Sequence, residues 1–229
     1  VLVGGGETLQ AKRRARKAGM VIEFEAPTDP PCPIVIGSDR PGTNEVENAH
    51  GAFAPTQVYP LFETAIRGAA GRSIAEHQRV IGRLWSHFSE IAAANPHAWS
   101  RQNFTADDIV TPTPDNRLVN FPYTKRMNSN IDVDQGAAIL MTSYERAVAA
   151  GVDPSRFVFL HAGADAHDHW WISERDSLAE SVGIGAVVRA ALAASELTVD
   201  DIARFDLYSC FPSAVQLAMN AIGLAGPIG

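Results

Sequence analysis

Asp206-Leu207-Tyr208-Ser209-Cys210-Phe211-Pro212-Ser213-Ala214-Val215-Gln216-Leu217 is the stretch on which the reading of this chain turns. Residues 205–211 read as a strand. Pro212 then opens a helix at its first position, where the missing N–H is harmless and the fixed φ is already helical. Gly223 closes that helix. A strand running into a helix N-terminus leaves free N–H groups and the positive end of the helix dipole at the junction. Polar side chains there either hold a ligand oxygen or cap and pack the turn. Tyr208 and Ser209 bring a phenol and a hydroxyl to this junction, and both can donate a hydrogen bond.

Outward from this junction, strands and helices alternate. Asp176-Ser177 reads as the cap of a helix running to about Ala194. Residues 157–161 read as a buried strand. Residues 136–143, Gly-Ala-Ala-Ile-Leu-Met-Thr-Ser, form a continuous apolar strand of the kind covered on both faces, followed by a short helix from Tyr144 to Ala150. At the other end, residues 1–4 read as a short strand, Thr8 to Ala18 as a helix stopped by Gly19, and residues 20–25 as a weak strand. This order is α/β architecture.

The middle of the chain breaks the alternation. Residues 26–55 are rich in Pro, Gly, Asn and Asp and read mostly as loop. Residues 57–94 read as two helices, the second with Val80, Ile81, Leu84, Trp85 and Phe88 at helical spacing. Ser73 with Glu76 forms a capping-box signal at its start, and Asn95-Pro96 ends it. Thr105 caps a short turn to Val110, and residues 111–130 read as loop.

Of the 229 residues, 46% are apolar and 20% charged, a globular rather than a disordered composition. A net charge of -7 leaves no basic footprint for nucleic acid. The cluster Lys12, Arg13, Arg14, Arg16 and Lys17 reads as a solvated helix face or as a contact to phosphate or an acidic partner. Cys32 and Cys210 make no disulfide framework and point to the reducing cytoplasm. No apolar run approaches the roughly 18 residues of a membrane span. Val1-Leu2-Val3 opens like a strand already in progress, so the chain reads as an internal segment of a longer polypeptide.

Four pieces, in this order, resemble the thiolase superfamily, and especially the sterol-carrier-type thiolases and the thiolase-like proteins related to acetyl-CoA acetyltransferase. Val1-Leu2-Val3-Gly4-Gly5-Gly6-Glu7 is similar to the strand and Gly-Gly-x-Glu turn after the nucleophile helix. Asn95-Pro96-His97-Ala98, with Phe104-Thr105-Ala106-Asp107-Asp108-Ile109, is similar to the end of the loop domain. Asp134-Gln135-Gly136-Ala137-Ala138 resembles the Asp-Gly-Ala-Ala segment closing the N-terminal half. Val199-Asp200-Asp201-Ile202 before Asp206-Leu207-Tyr208-Ser209-Cys210-Phe211 resembles the lead into the Asn-Glu-Ala-Phe motif, which is His-Asp-Cys-Phe in the sterol-carrier type.

The resemblance implies a partial thiolase fold of αβαβα layers with an inserted, largely helical loop domain. Residues 1–25 would belong to the N-terminal half, 26–125 to the loop domain, 126–155 to the end of that half, and 156–229 to the start of the C-terminal half. It implies an acyltransferase that thiolyses 3-ketoacyl-CoA or condenses acyl-CoA, with CoA as substrate and no cofactor. The alternative is a non-catalytic acyl-CoA-binding protein. The family's nucleophilic Cys lies upstream of Val1, and its Gly-His-Pro histidine and second Cys lie downstream of Gly229. Cys210 matches neither cysteine. Tyr208 stands where the family has an oxyanion-hole Asn or His, and Ser209 where it has Glu or Asp. Asn128, Ser129 and Asn130 lie on the segment that borders the pantetheine channel, as contacts to its amides or as an ordered surface loop. A homo-oligomer or a partner subunit is expected.

His161, Asp165, His167, Asp168 and His169, followed by Trp170 and Trp171, are chemically suited to zinc or iron. Their spacing matches no metal motif, so no metal is assigned. A hydrogen-bonded loop, or a pocket or interface with the tryptophans, stays open for them. His77, His87 and His97 read as helix-surface or packing residues.

Overall fold

The computed structural model describes residues 2–22 and 37–224. In chain order its elements are β1 (Leu2–Thr8), α1 (Leu9–Lys17), α2 (Glu45–Ala49), α3 (Pro55–Ala69), α4 (Ile74–Ala94), α5 (Ala106–Val110), β2 (Leu118–Asn120), β3 (Tyr123–Thr124), β4 (Asp134–Leu140), α6 (Tyr144–Ala149), α7 (Val182–Ser195) and α8 (Pro212–Ile222). They form two compact units. One is drawn from residues up to Asp39 and from Asn130–Leu160, the other from Arg40–Ser129 and from His161 onward.

In the first unit β1 and β4 pair antiparallel, from Leu2 opposite Leu140 to Thr8 opposite Asp134. The register sets Gly4, Gly5 and Gly6 against Ala138, Ala137 and Gly136, so the middle of the ribbon carries little side chain. Asp134 also serves α1. Its Oδ1 accepts from the Ala11 N–H at 2.9 Å, and the Val133 carbonyl accepts from Gln10 N–H at 3.3 Å. First-turn amides left open by helix geometry thus find an anion and a carbonyl on the neighbouring strand. From the basic cluster, Arg13 pairs with Asp132.

Three expectations fail in this unit. The apolar strand read as covered on both faces is β4, yet Ile139 and Leu140 are 66% and 76% exposed. Among the described residues the ribbon has two strands, and no described layer of the unit lies over these side chains. Residues 157–160 form no strand, and Val158 and Leu160 lie open. A strand needs a neighbour for its backbone groups, and the described residues supply none. Residues 20–22 form no strand either, and 23–25 lie outside the described residues.

The second unit packs α3, α4 and α8 together, with α5 and a small hairpin against them. Ser73 caps α4 as expected: its Oγ accepts from Glu76 N–H at 3.3 Å, and Glu76 Oε2 accepts from Ser73 N–H at 2.8 Å. Pro60 inside α3 deprives the Thr56 carbonyl of its donor four residues on. The Asn120 side-chain amide, from β2, replaces that donor at 3.0 Å. α4 and α5 meet at Gly82, where a Cβ would lie 2.8 Å from Val110 Cγ1 and 3.1 Å from the Ala106 carbonyl. One core cluster is Ile81, Ile109, Tyr123, Met127 and Phe211. Leu84, Val215 and Met219 form another, and Phe62, Ile66 and Leu217 a third. Together they bury α8 against α3 and α4.

Segments expected to be loop contain more order than their composition suggests. Within 26–55, α2 is closed by a reciprocal Asn44–Glu47 box. Within 111–130, β2 and β3 form an antiparallel hairpin. Fully buried Asn116 donates from Nδ2 to the carbonyls of Asp108, Ile109 and Thr111, and its Oδ1 accepts from Arg126 N–H at 2.9 Å. Carbonyls at the end of α5 are thereby satisfied. Two further expectations are corrected. The cap of the helix ending near Ala194 is Ser181, whose Oγ accepts from Ile184 N–H at 3.1 Å, not Asp176-Ser177. Residues 205–211 form no strand, because no ladder partner lies beside them among the described residues; the chain runs extended into α8.

Candidate functional site

Pro212 fixes the first turn of α8, and Phe211 before it is extended, at φ -145 and ψ 151, with its ring buried. The Tyr59 ring, from α3, stacks on Phe211 with centroids 4.3 Å apart and planes 13° apart. Tyr208 leans on the same ring, its centroid 6.4 Å from that of Tyr59. Tyr208 is 61% exposed, Ser209 is exposed and Cys210 half-buried. A hydrogen bond with Cys210, then partial burial and the Tyr59 phenol, push the Tyr208 phenol above its ordinary range. It is therefore a protonated donor at neutral pH.

The segment before β4 meets this junction. Ser129 N–H donates to the Cys210 carbonyl at 3.1 Å. Asn128 donates from Nδ2 to the Thr124 carbonyl at 2.7 Å, while its Oδ1 is shielded from solvent without a hydrogen-bond partner among the described residues. Ser129 and Cys210, read separately in the sequence, are thus hydrogen-bonded neighbours. Asn130 belongs to the other unit and makes a local turn, its Oδ1 accepting from Asp132 N–H at 3.0 Å.

Below the junction lies a polar network that sequence reasoning missed. Glu63 is fully buried on α3, and His77 on α4 is 2% exposed. Glu63 Oε1 accepts from His77 Nε2 at 2.5 Å and from Gln216 Nε2 at 2.7 Å. Glu63 Oε2 accepts from the Tyr123 hydroxyl at 2.7 Å, and the Ser213 Oγ lies 2.8 Å from that hydroxyl. A carboxylate only accepts, so the single phenol proton goes to Glu63 and Ser213 donates to the phenol oxygen. Burial first, then the Glu63 charge, drive the Tyr123 phenol far above its ordinary value. His77 Nδ1 faces Arg72 Nη1 at 3.5 Å. An N–H there would meet another donor, so the partners fit the tautomer with its proton on Nε2. Spacing carried no signal for this set, which joins two helices, a hairpin and the start of α8.

The histidine-rich segment does something else. Asp168 accepts from Ser181 Oγ at 2.6 Å, from Gly183 N–H at 2.8 Å and from Arg175 Nη1 at 3.4 Å, holding the first turn of α7. Trp170 and Trp171 both donate from Nε1 to the Pro41 carbonyl, at 2.9 and 3.2 Å. His161 and His169 are exposed and His167 lies against the Trp170 ring. Among the described residues no three His, Cys, Asp or Glu side chains are grouped to hold a metal ion. His87 lies at the surface beside Glu90, and His97 is exposed.

A mixed helix-and-strand chain with this aromatic junction has solved counterparts. It is similar to a monomeric SCP2-thiolase like protein type 1 from Mycobacterium smegmatis, with a TM-score of 0.75 and 33% identity, covering 83% of this chain and 42% of that one. It shares its fold with the Ltp2-ChsH2(DUF35) aldolase, with a TM-score of 0.62 and 20% identity, covering 79% of this chain and 46% of that one. No family model and no curated protein matches the chain. The chain is thiolase-like, of the SCP2 type. It spans less than half the length of either solved relative. No described helix is long and apolar enough to cross a membrane.

Proposed function

We propose that this chain is the part of a thiolase-like acyltransferase that shapes an acyl-CoA site, with CoA as substrate and the cytoplasm as its compartment. Residues 26–125 serve as the loop domain. Residues 1–25 and 126–155 belong to the N-terminal half, and 156–229 begin the C-terminal half, within αβαβα layers. The observation carrying this reading is the Ser129–Cys210 hydrogen bond. It sets the segment expected to border pantetheine against the junction expected to hold an acyl oxygen. Tyr208 and Ser209 contact the thioester oxygen, and Asn128 and Ser129 contact the pantetheine arm.

A second reading is favoured by Tyr208 and Ser209 themselves. A phenol reaches further than Asn or His, and Ser209 brings no carboxylate. The chain would then bind acyl-CoA without thiolysis. One of the solved relatives is named as an aldolase with a DUF35 component, which supports looking for a partner subunit here. Equilibrium dialysis of the natively produced protein that contains this chain with labelled acetyl-CoA, run beside an acetoacetyl-CoA thiolysis assay, separates these readings. Retention with thiolysis supports the acyltransferase, retention without it supports the binder, and no retention rejects both.

A further inference from the structure

The residues beneath the junction are more than core. Glu63, Tyr123, Ser213 and Gln216 are each at least 97% buried, as is nearly all of His77. Burying a carboxylate is expensive unless donors replace its water. Here three donors from three elements converge on it: His77 from α4, Tyr123 from β3 and Gln216 from α8. No Lys or Arg touches its oxygens in this set; the nearest cation in the chain of contacts is Arg72, which meets the far side of His77. The output end of the chain is Ser213, the second residue of α8, two positions after Phe211. The Tyr123 ring also lies 5.6 Å from the Phe211 ring. The carboxylate is thus linked to the turn that carries Tyr208 by the Tyr123–Ser213 hydroxyl pair, and also by Gln216, whose Nε2 donates to the Pro212 carbonyl at 3.2 Å as well.

We propose that Glu63 and His77 are positioning residues: through Tyr123 and Ser213 they hold the Tyr208–Pro212 turn in its ligand-ready geometry. This deepens the acyl-CoA reading and rests on it for the ligand alone. The carboxylate supplies the acceptor, His77 holds it from the opposite side, and Gln216 ties the same oxygen to α8.

Amide hydrogen exchange on Glu63→Gln, Tyr123→Phe and His77→Gln tests this, with coenzyme A titration alongside. Tyr123→Phe cuts the link to Ser213 but leaves the Glu63–His77 contact. His77→Gln keeps an amide donor near the position of Nε2. Glu63→Gln and Tyr123→Phe are expected to speed exchange at residues 208–217 at least tenfold while α4 beyond His77 stays protected. They are also expected to weaken coenzyme A at least fivefold. His77→Gln is expected to behave nearly as the parent, while His77→Phe behaves like Glu63→Gln. Exchange at 208–217 that does not change, or that rises equally across α3, α4 and α8, overturns the proposal in favour of plain core packing. Local loosening in a protein whose parent form never binds coenzyme A keeps the positioning role and overturns the acyl-CoA reading instead.

Discussion

His77 Nε2 and Glu63 Oε1 stand 2.5 Å apart inside the α3–α4 pair, both side chains almost wholly out of solvent. Fourteen residues separate them in sequence. Removing one member leaves the rest of the set facing apolar surroundings. Glu63→Ala strands the His77 N–H and leaves the Tyr123 hydroxyl to Ser213 and the Tyr59 carbonyl, and the Gln216 amide to the Pro212 carbonyl. The expected loss is about 1–3 kcal/mol of unfolding free energy. Urea denaturation should show a lower midpoint, and a loss below about 1 kcal/mol would mean water replaces the carboxylate at little cost.

Gly82 is set by contact rather than by backbone angle. A methyl group there meets Val110 Cγ1 at 2.8 Å and backbone oxygen at 3.1 Å. Alanine favours a helix by about 1 kcal/mol over glycine, but α4 and α5 must separate to admit it. Overpacking of this kind costs about 1–3 kcal/mol, so Gly82→Ala is expected to lower stability despite its better propensity. A rise in thermal midpoint would show that α5 gives way freely.

Asp168 gives the fold an acid limit. Partial burial raises its pKa, but the Ser181 hydroxyl, the Gly183 N–H and the Arg175 charge outweigh that, and the carboxyl is held below its ordinary 3.8. A depressed carboxyl pKa contributes stability that is present above the unfolded value and is lost as pH falls through the folded one. The contribution is therefore intact at pH 7 and fades below about pH 4. Asp168→Asn should lose about 1–2 kcal/mol at pH 7. The gap should close as pH falls through the lowered folded value, and thermal melts from pH 7 into the acid range give the comparison. A difference independent of pH would remove the charge from the explanation.

What was legible in the sequence was what local spacing encodes. Ser73 and Glu76 lie one turn apart, so their box could be read directly, as could Pro212 at the head of α8. Strands were harder, because apolar composition marks a buried segment without naming its partner. The 205–211 and 157–161 runs looked like strands, but their neighbours are not among the described residues. Asp176-Ser177 reads as a cap on paper, and Asp168, accepting from Ser181 and Gly183, favours the later start at Ser181. Ser129 and Cys210 were picked out separately, and only the fold shows their hydrogen bond. Glu63 gave no sign at all. Its partners Tyr123 and Gln216 lie 60 and 153 residues away, and a lone Glu on an amphipathic helix reads as surface.

The central claim is that the Tyr208 junction takes part of an acyl-CoA. Calorimetric titration of acetyl-CoA into the parent chain and into Tyr208→Ala, at one pH and salt concentration, tests it most directly. The account predicts saturable binding to the parent and a dissociation constant about tenfold weaker for the variant, a difference of about 1.4 kcal/mol. Equal affinity for both proteins, with Tyr208→Ala folded, would contradict it by placing the acyl thioester away from this turn.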